Sequence, residues 1–160
     1  MEIAKLFSFS EALKIRQKQK NVVLTNGCFD LLHPGHIASL TYAAHYGNLW
    51  VALDSDQNVK ILKGTSRPVM NEKERAYMLS ALECVFGIFI FGPGELAAKI
   101  EQFHPDVYVK SADYNLETLN PNERLMLQKI GAKIEFAPLS PGMSTTQLIQ
   151  KIQHLEIRQQ

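Results

Sequence analysis

Five compact apolar runs punctuate the chain, and stretches of helical period separate them. Val22-Val23-Leu24, Leu49–Leu53, Val85–Phe91, Val107–Val109 and Lys133–Phe136 each read as a strand. The first four are apolar without strict alternation, the pattern of strands covered on both faces. Trp50 lies mid-strand and reads as core. The helix signals fall between the runs. Ser8-Phe9-Ser10-Glu11 fits a capping box ahead of a short helix. His33-Pro34-Gly35-His36 opens a second helix, with Ile37, Leu40 and Ala44 as its apolar face. Asp54-Ser55-Asp56 begins a third, and Asn71 with Glu74 caps a fourth that runs through Met78, Leu79 and Leu82. Ser144 and Gln147 fit a cap before the last helix. Between them, Lys60–Asn71 reads as a polar, basic, mobile connection.

Strands alternating with helices predict an α/β fold. The expected architecture is a single Rossmann-like, doubly wound, parallel five-stranded sheet with helices on both faces. The expected domain plan is a single domain over 1–160, with a helical extension at 1–20 and a core at 21–155. In such sheets ligands sit beyond the carboxyl ends of the strands. That directs attention to the segments just after Leu24, Leu53, Val109 and Ala137.

Composition changes the picture only by exclusion. The 160 residues carry a formal net charge of +1, which argues against a nucleic-acid binder driven by bulk positive charge. No apolar run reaches the roughly 18 residues of a membrane span. The first residues lack the apolar core of a signal peptide, so the cytoplasm is the expected compartment. Cys28 and Cys84 form neither a metal spacing nor a disulfide framework.

The chemistry concentrates in Thr25-Asn26-Gly27-Cys28-Phe29-Asp30-Leu31-Leu32-His33-Pro34-Gly35-His36. Pro34 marks a first helical position, and helix N-termini bind phosphate through free N–H groups and the dipole. His33 and His36 are three apart and share one helix face, so both imidazoles can address one anion. A capped helix with two solvated histidines is the competing reading. The placement of the pair around Pro-Gly, directly after a buried strand, favours the anion. Cys28 has no base spaced to activate it and reads as packing or backbone contact. Lys60 and Lys63 lie in a basic stretch with Arg67, and Gly64 frees the chain beside Lys63 to close over a triphosphate. Arg75 either reaches phosphate or acceptor, or pairs with Glu72 or Glu74. Asp113, in Lys110-Ser111-Ala112-Asp113-Tyr114, is either a turn residue or a contact to base, ribose or metal-bound water. Gly142-Met143-Ser144-Thr145-Thr146 combines three hydroxyls with a helix start, a second phosphate cradle.

The segment GCFDLLHPGH resembles the HxGH signature of the nucleotidyltransferase superfamily, in its cytidylyltransferase-like branch. From Val22 to Ile152 the chain is similar to the heptose 1-phosphate adenylyltransferases, found alone or fused to a sugar kinase. The matching pieces are TNGCFDLLHPGH, LDSDQNVKILKGTSRPV, ALECV, PDVYVKSADY and GMSTTQLIQKI. The family pattern Lys-Gly-Gly-Asp-Tyr is broken here by Ser111 and Ala112. Pro138-Leu139 stands where related cytidylyltransferases carry Arg-Thr, which tilts the nucleotide from CTP to ATP.

The resemblance implies a catalytic set of His33, His36 and Lys63. It implies nucleotide contacts from Thr25, Asn26, Gly27, Cys28, Phe29, Asp30, Gly35, Arg75, Asp113, Met143, Ser144, Thr145 and Thr146. It also implies ATP, a phosphorylated small-molecule acceptor, Mg²⁺ held mainly through the triphosphate, and a possible homodimer. Neither nucleic acid nor membrane is expected as a partner. Glycerol 3-phosphate with CTP and FMN with ATP are the alternative acceptor pairs. A nucleotide-binding regulatory module is the alternative outside enzymes. A redox dinucleotide protein is set aside because no G-x-G-x-x-G follows the first strand.

Overall fold

In the computed structural model, which describes residues 3–111, 114–138 and 144–155, five strands form one all-parallel sheet. They are β1 (Val22–Gly27), β2 (Asn48–Asp54), β3 (Gly87–Phe91), β4 (Val107–Lys110) and β5 (Lys133–Phe136). Their order is β3-β2-β1-β4-β5, so the chain reverses direction across the sheet between β1 and β4. That switch point is where an open α/β sheet leaves a crevice. The described helices are α1 (Phe9–Arg16), α2 (Pro34–Ala44), α3 (Asp56–Lys63), α4 (Glu72–Ser80), α5 (Leu96–Phe103), α6 (Pro121–Ile130) and α7 (Thr145–Gln153).

Side-chain alternation along the strands builds two cores. Leu24, Trp50, Phe89 and Tyr108 face α1, α5 and α6, packing with Ala12, Ile100, Phe103 and Leu127. Val23, Val51, Ile88 and Val109 face the other way, against Leu40 and Ala43 of α2 and Ala76 and Leu79 of α4. Both faces are therefore dry over β1, β2 and β3, which is why those strands carry no period-two signal, whereas the edge strand β5 alternates and exposes Lys133. Further along, the same alternation puts Asn26, Asp54 and Lys110 on the α5/α6 face, at the carboxyl ends of β1, β2 and β4.

The first residues are built into the sheet. Ile88 donates to Lys5 and accepts from Phe7, and Leu6 bridges Ile88 in parallel, covering the outer edge of β3. The Ser8–Glu11 capping box forms, as does that of Asn71 and Glu74. Ser144 accepts from the Gln147 N–H in front of α7.

Three expectations are corrected. The third strand begins at Gly87 rather than Val85, because pairing with β2 starts opposite Trp50. A β-carbon at Gly87 would stand 2.6 Å from the Trp50 ring, so glycine alone fits under it. In α2 the buried face is Leu40 and Ala43, while Ile37 is exposed. The basic stretch from Lys60 is not all loop: Lys60–Lys63 close α3, and the connection starts at Gly64.

Candidate functional site

The carboxyl ends of β1, β2 and β4 open into one cavity of about 840 Å³, which the N-termini of α2 and α7 help to wall. Thr25, Asn26 and Gly27 reach it from β1, and Cys28, Phe29 and Asp30 continue the wall. His33, Gly35 and His36 come from the start of α2, Lys63 from the end of α3, and Ser144, Thr145 and Thr146 from the start of α7. Asp113 and Met143 lie outside the described residues. Arg75 does not line the cavity.

The turn from β1 into α2 is strained where it matters. Phe29 is held at φ 46°, a left-handed conformation that bulky side chains rarely adopt. Its ring lies over Gly27 and packs against His36 at 5.2 Å between centroids. The His33 and His36 rings stack on each other, 3.7 Å apart and 23° from parallel. Both Nδ1 atoms are shielded from solvent, and neither has a hydrogen-bond partner among the described residues.

Burial pushes both imidazoles below their usual pKa. His36 falls to about 4, with its neighbour His33 adding to the burial effect and the Leu31 backbone weakly opposing it. At neutral pH two uncharged rings therefore stack at the start of α2, each with one N–H to donate. As N-cap, His33 makes no side-chain cap bond, so its side chain leaves the helix end open, whereas the Ser144 hydroxyl is spent capping α7. Thr145 Oγ1 donates weakly to the Leu31 carbonyl at 3.4 Å, tying α7 to the β1–α2 turn. Two helix starts thus converge on one side of the cavity, an arrangement that suits a chain of phosphates.

Two residues expected at the nucleotide are used to build the walls. Asp30 is 2% exposed and holds the connection after α3: Arg67 Nε donates to it at 2.5 Å, and the Val69 and Met70 N–H groups at 2.8 and 3.0 Å. The far half of that connection is therefore pinned by Asp30, while Gly64 to Ser66 is held only through Gly64, which donates to the Lys60 carbonyl and accepts from the Arg67 N–H among the described bonds. Arg75 is 1% exposed. It donates to the Met70 carbonyl, the Cys28 carbonyl at 2.6 Å and Asp56 Oδ1 at 2.8 Å. It pairs with neither Glu72 nor Glu74; it binds α4 to the β1–α2 turn and to the start of α3. Cys28 lines the cavity with its thiol pushed up to about 11, by burial first and then by Asp54, so it carries no thiolate at neutral pH.

Lys110, Glu123, Asp54 and Asn58 also line this cavity and carried no site expectation from the sequence. On the β4 side, Asn26 Oδ1 accepts from the Tyr108 hydroxyl at 2.6 Å and from Lys110 Nζ at 2.7 Å. Tyr108 also shares its hydroxyl with Glu123 Oε2 at 3.0 Å, and Lys110 lies 3.6 Å from the same carboxylate and over the Tyr114 ring. On the β2 side, Asp54 and Asn58 are 3% and 9% exposed, face the cavity, and bond to each other through Asn58 Nδ2 at 2.5 Å. The one signal for them in the sequence is position: Asp54 ends the second apolar run, where the strand-end rule places ligand contacts.

A parallel α/β sheet with its cavity at the switch point, approached by helix N-termini, defines a Rossmann-like α/β domain. The particular family follows from comparison: a family described as cytidylyltransferase-like matches residues 24–151, and the chain belongs to it. Among curated relatives, the bifunctional protein HldE of Syntrophotalea carbinolica is 40% identical over 147 residues, covering 91% of this chain and 30% of the relative. HldE of Koribacter versatilis is 41% identical over 153 residues, covering 92% and 31%. The chain thus spans under a third of the length of these relatives. Among solved structures, a lipopolysaccharide core biosynthesis protein from Thermoplasma volcanium shares the fold at TM-score 0.63 and 23% identity, covering 74% of this chain and 97% of its own. Pantoate-beta-alanine ligase from Francisella tularensis shares it at TM-score 0.57 and 13% identity, covering 95% and 80%.

Proposed function

We propose that this chain transfers AMP from ATP to a sugar phosphate, heptose 1-phosphate, giving ADP-heptose and pyrophosphate in the cytoplasm. An oxygen of the acceptor's phosphate attacks the α-phosphorus. The new P–O bond forms as the bond to the bridging α–β oxygen breaks, and that oxygen leaves with pyrophosphate. The nucleophile is already an anion at neutral pH, so the protein needs to position it and to neutralise charge at phosphorus.

The observation that carries this reading is the stacked, neutral His33–His36 pair at the open start of α2, inside the cavity shared with Lys63 and the start of α7. Each imidazole N–H would donate to α-phosphate or leaving-group oxygen as charge builds. Lys63 would meet the β- and γ-phosphates as a point charge. The family membership and the HldE relatives support the same reaction class. The lipopolysaccharide core biosynthesis protein that shares the fold is compatible with a sugar acceptor.

Mg²⁺ belongs to this reading. Among the described residues no three His, Cys, Asp or Glu side chains stand together as a metal site. The donor set fits a cation that arrives on the triphosphate and keeps several waters, and its charge would offset that of the leaving pyrophosphate. Among the described residues no helix is long and apolar enough to cross a membrane.

The test is pyrophosphate release across a panel of sugar 1-phosphates, glycerol 3-phosphate and FMN, each with ATP and with CTP. Turnover should be highest for a heptose 1-phosphate with ATP. Better turnover of glycerol 3-phosphate with CTP would replace the assignment, and absence of pyrophosphate release with every pair would favour a regulatory module. Light scattering of the same preparation tests the homodimer that the family resemblance implies.

A further inference from the structure

The cavity has two chemically different sides. On one, α2 and α7 present helix starts and the histidine pair, the groups suited to phosphate. On the other, the row Asp54–Asn26–Lys110 crosses the ends of β2, β1 and β4 on the opposite face of the sheet. Within that row the members differ in what they have left to offer. Asn26 Oδ1 already accepts from two donors, and Lys110 and Glu123 are committed to the network around Tyr108. Asp54 is not so committed. One of its oxygens accepts from Asn58 Nδ2, and the Cys28 thiol is its other close donor. A carboxylate accepts about four hydrogen bonds. Burial is the main influence on this group and raises its pKa, with Asn58 and the more distant charge of Lys110 opposing.

A buried carboxylate with spare acceptor capacity, on the sheet face opposite α2, suits neighbouring hydroxyl groups. Phosphate oxygens would be repelled by it, and an apolar ring would leave it unpaired. Resting on the proposed reaction, we infer that Asp54, oriented by Asn58, selects a polyhydroxylated acceptor by accepting hydrogen bonds from adjacent sugar hydroxyls. Phe91 and Leu96, on the same face, would flank the carbon skeleton.

The experiment compares the wild-type chain with Asp54→Asn, which keeps size and removes charge and acceptor capacity. Initial rates are measured against acceptor and against ATP, using the best sugar phosphate of the panel and its singly deoxygenated analogues. The KM for acceptor should rise about tenfold or more, as expected for lost hydrogen bonds to a charged group. The KM for ATP should stay within about twofold, and the melting temperature should hold. One deoxy analogue that the wild type disfavours should be accepted by Asp54→Asn as well as the parent sugar. Should Asp54→Asn fail to fold, Asn58→Ala keeps the carboxylate, loses its orienting amide, and should give the same rise in acceptor KM alone. Unchanged acceptor KM and unchanged discrimination among deoxy analogues overturn this role for Asp54 while leaving the reaction intact. A wild-type chain that turns over FMN or glycerol 3-phosphate but no sugar phosphate overturns the proposed acceptor first, and this inference with it.

Discussion

His33 and His36 are packed face to face with neither Nδ1 paired among the described residues, and each is held neutral by its surroundings. Removing either ring costs a donor to the transition state, so His33→Ala and His36→Ala should each lower kcat by about 10²-fold or more. The melting temperature of each should change little for His33. For His36 it should fall modestly, because that ring also packs on Phe29. Near-wild-type turnover in both single variants would remove the pair from the mechanism. The low pKa of His36 has a sign that can be checked. Unfolded, the ring takes a proton near pH 6.5; folded, only near pH 4. Between those values the unfolded chain binds more protons, so this group's contribution to stability declines as pH falls from about 6.5 to 4. A bound triphosphate favours the imidazolium and raises the same pKa. Nucleotide binding should therefore take up protons in that window, seen as a calorimetric heat that varies with the ionisation enthalpy of the buffer. His36→Gln should abolish most of that uptake.

At the scale of elements, Arg75 and the connection after α3 make opposite predictions. Arg75 is a buried brace between α4, α3 and the β1–α2 turn. Arg75→Ala should destabilise the fold by about 3 kcal/mol or more in urea unfolding, since it strands a carboxylate and two carbonyls. A stable Arg75→Ala that fails to bind ATP would instead make Arg75 a ligand. The segment from Gly64 to Ser66, between the end of α3 and the Asp30 anchor, should behave as a phosphate-triggered lid. Lys63 should become protected from amine-reactive labelling when ATP and Mg²⁺ are added. Gly64 stands at φ 96°, ψ 165°, a region open essentially to glycine alone, and a β-carbon there would meet no neighbour. Gly64→Ala should thus disturb the chain next to Lys63 without touching the core, lowering kcat more than the melting temperature. Labelling of Lys63 unchanged by saturating nucleotide would reduce the segment to a plain connection. These two elements also show what a sequence can reveal. Caps such as Ser8–Glu11 and Asn71–Glu74 are legible because both partners are three residues apart. The strands are legible because burial on both faces demands continuous apolar runs. Arg75 and Asp30 are not, because their roles depend on partners 19 to 47 positions away, and Asp54 is not, because its role depends on the sheet face it shares; spacing along the chain does not encode either.

For the whole molecule, two helix starts stand on one side of the cavity, where a triphosphate would bring its own Mg²⁺. If Mg²⁺ enters only as the partner of the triphosphate, the fold does not depend on it. Chelator should then abolish pyrophosphate release, and added Mg²⁺ restore it, while the melting temperature of the nucleotide-free chain stays where it was. ATP with Mg²⁺ should raise that temperature by mass action, because only the folded chain assembles β1, α2, α3 and α7 around the phosphates. At a hundred times the dissociation constant the stabilisation is about 2.7 kcal/mol. For a domain of this size that corresponds to roughly 5–10 °C. ATP without the metal should give a clearly smaller shift, since Lys63 and two uncharged imidazoles leave most of the triphosphate charge unbalanced. CTP with Mg²⁺ should fall between, reporting phosphate contacts without the base selectivity expected for adenine. A chelator that lowers the melting temperature of the nucleotide-free chain would point to a resident structural metal and count against this division of labour. Equal shifts from ATP with and without Mg²⁺ would show that the protein's own donors suffice for the triphosphate, and the metal would lose its place in the reaction.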